Sequence, residues 1–386
     1  MNETTTLPRP SPLDVPDDAT VPLSMGESGP GANTSPSPEP DNEAQAPGAN
    51  GVSRRKILET AGLAAAATVA SKTTEYLDLT GIAETKPRTY ANVADAYRHE
   101  SGQMLSRWSS IVGEVQPDGQ LRTVVDDHSD RVVDAWSVNK LAVAVAVLDA
   151  ADNGVIDPKQ EVPITPDMFE PGAQSSPLGS KQTVESLLEA MITTSSNDAM
   201  RALQQVMPGD QINQVLEAKG FEHTRLEAAP NTGRFYTGKT TPRETQTLLI
   251  RLWNGGLISR ESSDKVIDWM KHTTYDQGIK RQLTPVERER VANKYGSVSD
   301  GDEPSTRNEV GIVFSENGNP KYFYSFFAEL KAPVDTRVVT MPHARLGATM
   351  VRTSAEAYTP PAQATASRRG FFGSLGRLGR RAPRGR

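Results

Sequence analysis

Ser137-Val-Asn-Lys-Leu-Ala-Val-Ala-Val-Ala-Val-Leu148 joins a short polar turn to eight residues that are apolar on every side. A surface helix carries an apolar stripe and a polar face, whereas a helix without a polar face belongs inside a core. The run predicts a fully buried helix over 141–148, stopped by Gly154. What buries it is read from the segments on either side.

Upstream, Tyr90–Leu105 has helical spacing, with Val93, Ala96, Tyr97, Met104 and Leu105 able to share a stripe. Two apolar runs, 111–115 and 121–125, flank Pro117-Asp-Gly119 and read as a hairpin at a sheet edge. Downstream, strands are predicted over 294–298, 307–314 and 322–330, the last two joined through Ser315-Glu-Asn-Gly-Asn319. The middle is helical. Residues 183–192 and 242–253 are amphipathic, 259–270 is a further helix, and 342–352 a last one. In Thr241-Pro242-Arg-Glu244 the threonine can cap, proline suits the first turn, and glutamate favours the positive helix end. Strands at both chain ends with helices between them predict a three-layer α/β (α+β) fold. Its antiparallel five-stranded sheet is completed by both termini and carries an inserted all-helical lobe.

The chain has 386 residues, and its hydrophobic content of 36% is low for a wholly globular protein. Residues 1–52 are rich in Pro, Gly, Ser and acidic residues and hold too little apolar surface to offset chain entropy, which predicts a disordered leader. A folded domain is expected over 90–352, followed by a flexible arginine-rich tail over 353–386. The net charge of −6 hides an asymmetry, since 367–386 holds seven arginines and no acidic residue. With Phe371, Phe372, Leu375 and Leu378 interleaved, that tail offers contact with a membrane surface, although a solubilising tail is the commoner use of such a segment. Over 53–73, Arg54-Arg55 precedes the mild apolar stretch 61–70, which resembles a twin-arginine export signal and predicts a periplasmic, cell-surface or secreted protein. Cysteine is absent, and the five histidines are dispersed without ligand spacing. No metal, no cofactor, no phosphate loop and no nucleic-acid partner is expected, and the chain is expected to act as a monomer.

Three short motifs carry chemistry. Ser137 precedes the buried helix and Lys140 shares its face one turn on. A serine hydroxyl needs a base, and a lysine in an apolar site can lose its proton because desolvation disfavours the charged form. The helix start would also aim N–H groups at a reacting carbonyl oxygen. Ser195-Ser-Asn197 ends an amphipathic helix and offers a hydroxyl and an amide, although capping alone explains such residues. Lys294-Tyr-Gly296-Ser297 begins a strand, where glycine admits close approach and lysine offers positive charge. Singly these strings are weak, and Ser262-Ser-Asp-Lys265 repeats the first of them. Together, in order, on helix start, loop and strand, they point to a serine nucleophile with its proton carriers.

Over roughly 97–350 the chain resembles the class A serine β-lactamases and related penicillin-recognising enzymes. Beyond the motifs, Gln182-Thr-Val-Glu-Ser-Leu-Leu-Glu-Ala-Met-Ile-Thr-Thr-Ser-Ser-Asn197 is similar to the family's helix leading into its Ser-Asp-Asn loop. Thr240-Thr-Pro-Arg243 is similar to the segment after the omega loop, and Trp269-Met-Lys271 with 278–285 to the stretch before the Lys-Thr-Gly strand. The resemblance implies that Ser137 is acylated, Lys140 is its proton partner, Ser195 relays a proton to the leaving nitrogen, and Asn197 contacts the acyl side chain. It implies an opposite wall of Lys294, Tyr295, Gly296 and Ser297, with the Ser297 N–H as an oxyanion donor and Arg307 facing a substrate carboxylate. Ser196 and Tyr295 depart from the family's usual acidic residue and Thr or Ser. Glu227, four residues before Asn231, has the spacing of the family's water-activating glutamate. Thr224-Arg-Leu-Glu227 also resembles the opening of the omega loop, and on that alignment Glu227 is structural. The activity implied is hydrolysis of a β-lactam amide. Alternatives are a penicillin-binding peptidase with slow release and a non-catalytic wall-binding module.

Overall fold

The computed structural model describes residues 89–102, 106–168, 177–230, 232–298, 306–330 and 337–353. The leader, the signal-like segment and the tail beyond 353 lie outside them, as does Asn231. In chain order the described elements are α1 (Val93–Gly102), β1 (Ser106–Val115), β2 (Leu121–Asp127), β3 (Val133–Asp134), a 3-10 turn (Trp136–Asn139), α2 (Lys140–Asp152), β4 (Glu161–Pro163) and β5 (Lys181–Thr183). There follow α3 (Val184–Thr193), α4 (Asn197–Val206), α5 (Gly209–Ala218), β6 (Arg225–Ala228), β7 (Phe235–Thr240), α6 (Pro242–Asn254) and α7 (Arg260–Lys271). The last are α8 (Pro285–Arg288), β8 (Val291–Val298), β9 (Thr306–Phe314), β10 (Pro320–Leu330) and α9 (Arg337–Thr353).

The main sheet runs β2-β1-β10-β9-β8, antiparallel throughout, so both chain ends complete it as the strand pattern predicts. Residues alternate between its faces. On β10, Tyr322, Tyr324, Phe326 and Ala328 pack with residues of α1 and α9, while Phe323 and Phe327 join the core of the helical lobe. This is the three-layer arrangement. Arg345 of α9 donates to Glu100 of α1 at 3.1 Å, both buried, which ties the terminal helices over the outer face.

Helix α2 is buried without interruption from Lys140 to Leu148, as its all-round apolar surface requires. Each buried Val or Leu contributes about 1.5–3 kcal/mol, so this helix is the anchor of the lobe. Thr241 caps α6 by accepting from Glu244 N at 3.1 Å, with Pro242 in the first turn. Helix α9 begins at Arg337 rather than Pro342, and the proline lies inside it. Helices α4 and α5 escape the sequence reading although each buries an apolar stripe, Ala199, Met200, Ala202 and Leu203 on the first and Ile212 and Leu216 on the second. The segment 225–240 is also a hairpin, β6 against β7, where the family resemblance suggests an omega loop. Leu226 inserts into the lobe core and Gly238 takes φ +54 where a Cβ would meet the Arg225 carbonyl at 2.2 Å, so this turn of backbone needs glycine.

Candidate active site

The polar turn ahead of α2 is built under strain. Trp136 has φ +49, a left-handed conformation uncommon outside glycine, and hands Ser137 into the 3-10 turn. Two asparagines hold that turn from either side. Asn139 Nδ2 donates to the carbonyls of Thr237 at 2.7 Å, Lys239 at 2.8 Å and Arg225 at 3.3 Å, which fastens the turn to the β6–β7 hairpin. Asn308 Nδ2 of β9 donates to Asp134 O at 2.8 Å and Ala135 O at 3.3 Å, which fastens it to the sheet. Ser137 itself is only partly buried, as a nucleophile that must meet a substrate has to be.

Ser195 is where the three motifs meet. Its φ is +59, and its side chain faces two lysines. Lys140 Nζ, fully buried, donates to Ser195 O at 2.6 Å, to Asn197 Oδ1 at 2.6 Å and to Ser195 Oγ at 3.3 Å. Lys294 Nζ, also fully buried, donates to Ser195 Oγ at 2.9 Å and to Tyr295 O at 3.2 Å. The neighbouring Ser196 caps α4, accepting from Ala199 N at 3.0 Å, so its departure from the family pattern is accommodated as a helix start.

Two amines that close cannot share a buried site as two cations. Burial holds Lys294 well below the ordinary lysine range, and the nearby Lys140 pushes it further the same way. The three acceptors around Lys140 suit an ammonium, and Lys294 is the amine whose environment favours the neutral form. A cation and an amine on either side of one hydroxyl can pass a proton in either direction.

Strand β8 approaches the nucleophile turn so closely that a Cβ on Gly296 would lie 2.8 Å from Ser137 N, 2.9 Å from Ala135 O and 2.9 Å from Val138 N. Only glycine fits. Ser297 follows on the exposed end of the same strand, opposite Arg307 in the β8–β9 register. Arg307 donates through one guanidinium nitrogen to Val298 O at 2.8 Å and Thr306 O at 2.7 Å, which holds it at the strand edge beside Tyr275. Tyr295 stacks on Tyr275, which the sequence gives no reason to single out. Glu227 lies on β6 opposite Tyr236, whose hydroxyl donates to it at 2.9 Å, and Arg225 is 3.8 Å from its other oxygen. The structure thus brings Lys140, Ser195, Asn197 and Lys294 into one hydrogen-bonded cluster against the Ser137 turn. Glu227 stands on the adjoining hairpin, bonded to Tyr236 rather than to that cluster. Asn139 and Asn308 were missed, although the first lies inside the Ser-x-x-Lys motif.

A buried helix under a strained serine turn, facing a lysine-bearing strand across a Ser-x-Asn loop, defines a serine hydrolase of the acyl-enzyme type. The model of the β-lactamase enzyme family matches residues 114–353, and the chain belongs to that family. It is 28% identical over 211 residues to β-lactamase VEB-1 of Pseudomonas aeruginosa, covering 50% of this chain and 70% of that protein. A β-lactamase of Rhodobacter capsulatus is 26% identical over 212 residues, covering 52% and 69%. Among solved structures, a β-lactamase of Chitinophaga pinensis matches with TM-score 0.59 at 21% identity over 68% of this chain and 98% of that one. A substituted PBP-A, solved as its acyl-enzyme complex with penicillin G, matches with TM-score 0.55 at 21% identity over 69% and 97%. Among the described residues no His, Cys, Asp and Glu group could hold a metal ion, and no helix is long and apolar enough to cross a membrane.

Proposed function

We propose that the protein hydrolyses β-lactams through an acyl-enzyme on Ser137. The carrying observation is the convergence of Lys140 Nζ and Lys294 Nζ on the Ser195 hydroxyl, at 3.3 and 2.9 Å. In acylation Lys140 first gives a proton through the Ser195 hydroxyl to the neutral Lys294, and the Ser137 oxygen then bonds to the lactam carbonyl carbon while its proton passes to the Lys140 amine so freed. The ring C–N bond breaks, and Ser195 gives its proton to the leaving nitrogen and regains one from the paired lysines. In this reading the start of α2 and the Ser297 N–H stabilise the oxyanion, Asn197 meets the acyl side chain, and Arg307 with the Lys294 wall meets a carboxylate.

Release needs a water and a base. Glu227 is the carboxylate we assign to it, and its Tyr236 contact is the bond it must exchange for that water. The same reading takes the Arg54-Arg55 segment as an export signal, the protein as a monomer, and the arginine-rich tail as a contact for an anionic surface.

A chromogenic cephalosporin with intact-mass detection tests the assignment. Turnover with a transient adduct that S137A abolishes is the expected result. E227Q should slow turnover about 100-fold or more and accumulate the adduct, because a general base is lost after acylation is complete. Wild-type protein that neither turns over nor forms an adduct refutes the reading, and E227Q at wild-type turnover removes Glu227 from it.

A further inference from the structure

We infer that Tyr295 is a positioning residue for acylation: its phenol, clamped on Tyr275, covers Lys294 and fixes the Ser195 hydroxyl between the two lysines. The inference rests on the proposed role of Ser195 and goes beyond it by naming what holds that hydroxyl.

The rings of Tyr275 and Tyr295 lie 3.9 Å apart at 19°, a face-to-face stack. Lys294 Nζ sits 4.7 Å from the Tyr295 ring centroid, within cation–π range. Burial raises the pKa of the Tyr295 phenol and the nearby Ser195 side chain opposes that rise, while the hydrogen bonds to Ser195 Oγ come from the two lysines. One aromatic side chain therefore covers the lysine that donates to the Ser195 hydroxyl.

The clamp is itself fixed from both directions. Thr274 N donates to Thr193 O at 3.0 Å, which ties the loop carrying Tyr275 to the end of α3, two residues before Ser195. Ile279 N donates to the buried Glu309 at 3.0 Å, and Glu309 pairs with Tyr295 in the β8–β9 register. A Cβ on Gly278 would fall 1.8 Å from that same carboxylate oxygen. Tyr275 is thus held between the Ser195 loop and the strand that bears Tyr295, with Arg281, Arg307 and Glu309 as its charged neighbours.

The chemistry needs such a device. Ser195 has one hydroxyl proton and two lone pairs, and its rotor is free to turn between Lys140 and Lys294 unless a third group limits it. Its left-handed backbone gives no local preference that would do so. A purely structural stack would plug the sheet edge and leave the hydroxyl rotor unaffected.

The test follows acylation by the chromogenic cephalosporin in single turnover from pH 5 to 10, with the Ser137 adduct read by intact mass. Y295F keeps the stack and loses only the hydroxyl; it should slow acylation about five- to tenfold with KM little changed. Y295L also removes the ring over Lys294. It should show that loss and move the Lys294 limb of the pH profile down by about half a unit, since the charged amine loses its cation–π partner. Lys294 is faced by Lys140, Ser195 and Tyr295, so no carboxylate masks this shift. Y275L should reproduce the rate loss, and Y275F should recover most of it. Wild-type acylation by Y295F at every pH overturns the inference even if Y275L does not fold. Absence of an adduct on the wild-type protein instead overturns the proposed function.

Discussion

Substituting Gly296 by alanine should separate the two halves of the site by a measurable distance. The added methyl would lie 2.8 Å from Ser137 N and 2.9 Å from both Ala135 O and Val138 N, and ordinary contact begins near 3.4 Å. All three neighbours are backbone, so none can swing aside. The turn is held by Asn139 on one side and Asn308 on the other, and β8 is laddered to β9 along its length. Strand and turn must therefore part by about half an ångström, an overpacking cost of about 1–3 kcal/mol. Misplacement of a nucleophile by about 1 Å costs on the order of 100-fold in rate, so G296A should acylate about 10- to 100-fold more slowly. Stopped-flow acylation by a chromogenic cephalosporin gives the rate, and thermal unfolding gives the stability. A G296A protein that acylates within twofold of wild type would refute the reasoning, because it would mean that β8 and the serine turn are not rigidly apposed.

Asn139→Ala leaves three backbone carbonyls without their shared donor in a buried site, and should cost about 2–4 kcal/mol in urea unfolding and slow acylation as well. Lys294→Met should abolish acylation yet raise the melting temperature by a few degrees, since it removes a buried amine that competes with Lys140. Because the folded state holds Lys294 below its unfolded value, wild-type stability should rise with pH through the window from that lowered value up to about 10.5, and this rise should be missing in K294M. Glu244 accepts from the backbone N–H groups of Glu222, His223 and Thr224. Burial raises its pKa, and the hydrogen bonds from Thr224, His223 and Glu222 outweigh burial and lower it. Its stabilisation is present above about 4.5 and is lost as pH falls through the lowered value, so E244Q should lose about 1–3 kcal/mol at pH 7 and progressively less as the medium is acidified through that value.

The layers were legible because burial leaves a periodic trace. An all-apolar helix, two hairpins and capped amphipathic helices fixed sheet and lobe, down to the Thr241 cap and the placement of strands from both chain ends. Helix α4 escaped although Ala199, Met200, Ala202 and Leu203 give it an apolar stripe, because its start, Ser196-Asn197, doubles as the motif loop. The β6–β7 hairpin was hidden for another reason: Leu226 and Phe235 are its apolar contacts with the core, and much of the rest is backbone that bonds the side chains of Asn139 and Asn213. Backbone acceptors are the same in every sequence. Tyr275 was invisible likewise, since its role depends on a stack across 20 positions that no local pattern reports.

The same asparagine decides what can limit release of the acyl group. Asn139 belongs to the serine turn and its amide binds both strands of the hairpin that carries Glu227, so nucleophile and carboxylate sit on one rigid body. Their separation is then set by backbone, and the remaining freedom is the rotamer of Glu227 and its bond to Tyr236. Glu227 is half-buried, and a rotamer change of one side chain that breaks a single hydrogen bond is still far faster than turnover at ordinary enzyme rates. Deacylation should therefore depend on the basicity of the carboxylate and on water placement, with no loop closure in the path. Turnover at saturating substrate should be unchanged by added viscogen, whereas Tyr236→Phe, which frees the carboxylate without moving the strand, should change it severalfold. A turnover rate that falls in proportion to viscosity, with Y236F indistinguishable from wild type, would place the slow step in a movement that the Asn139 tie forbids.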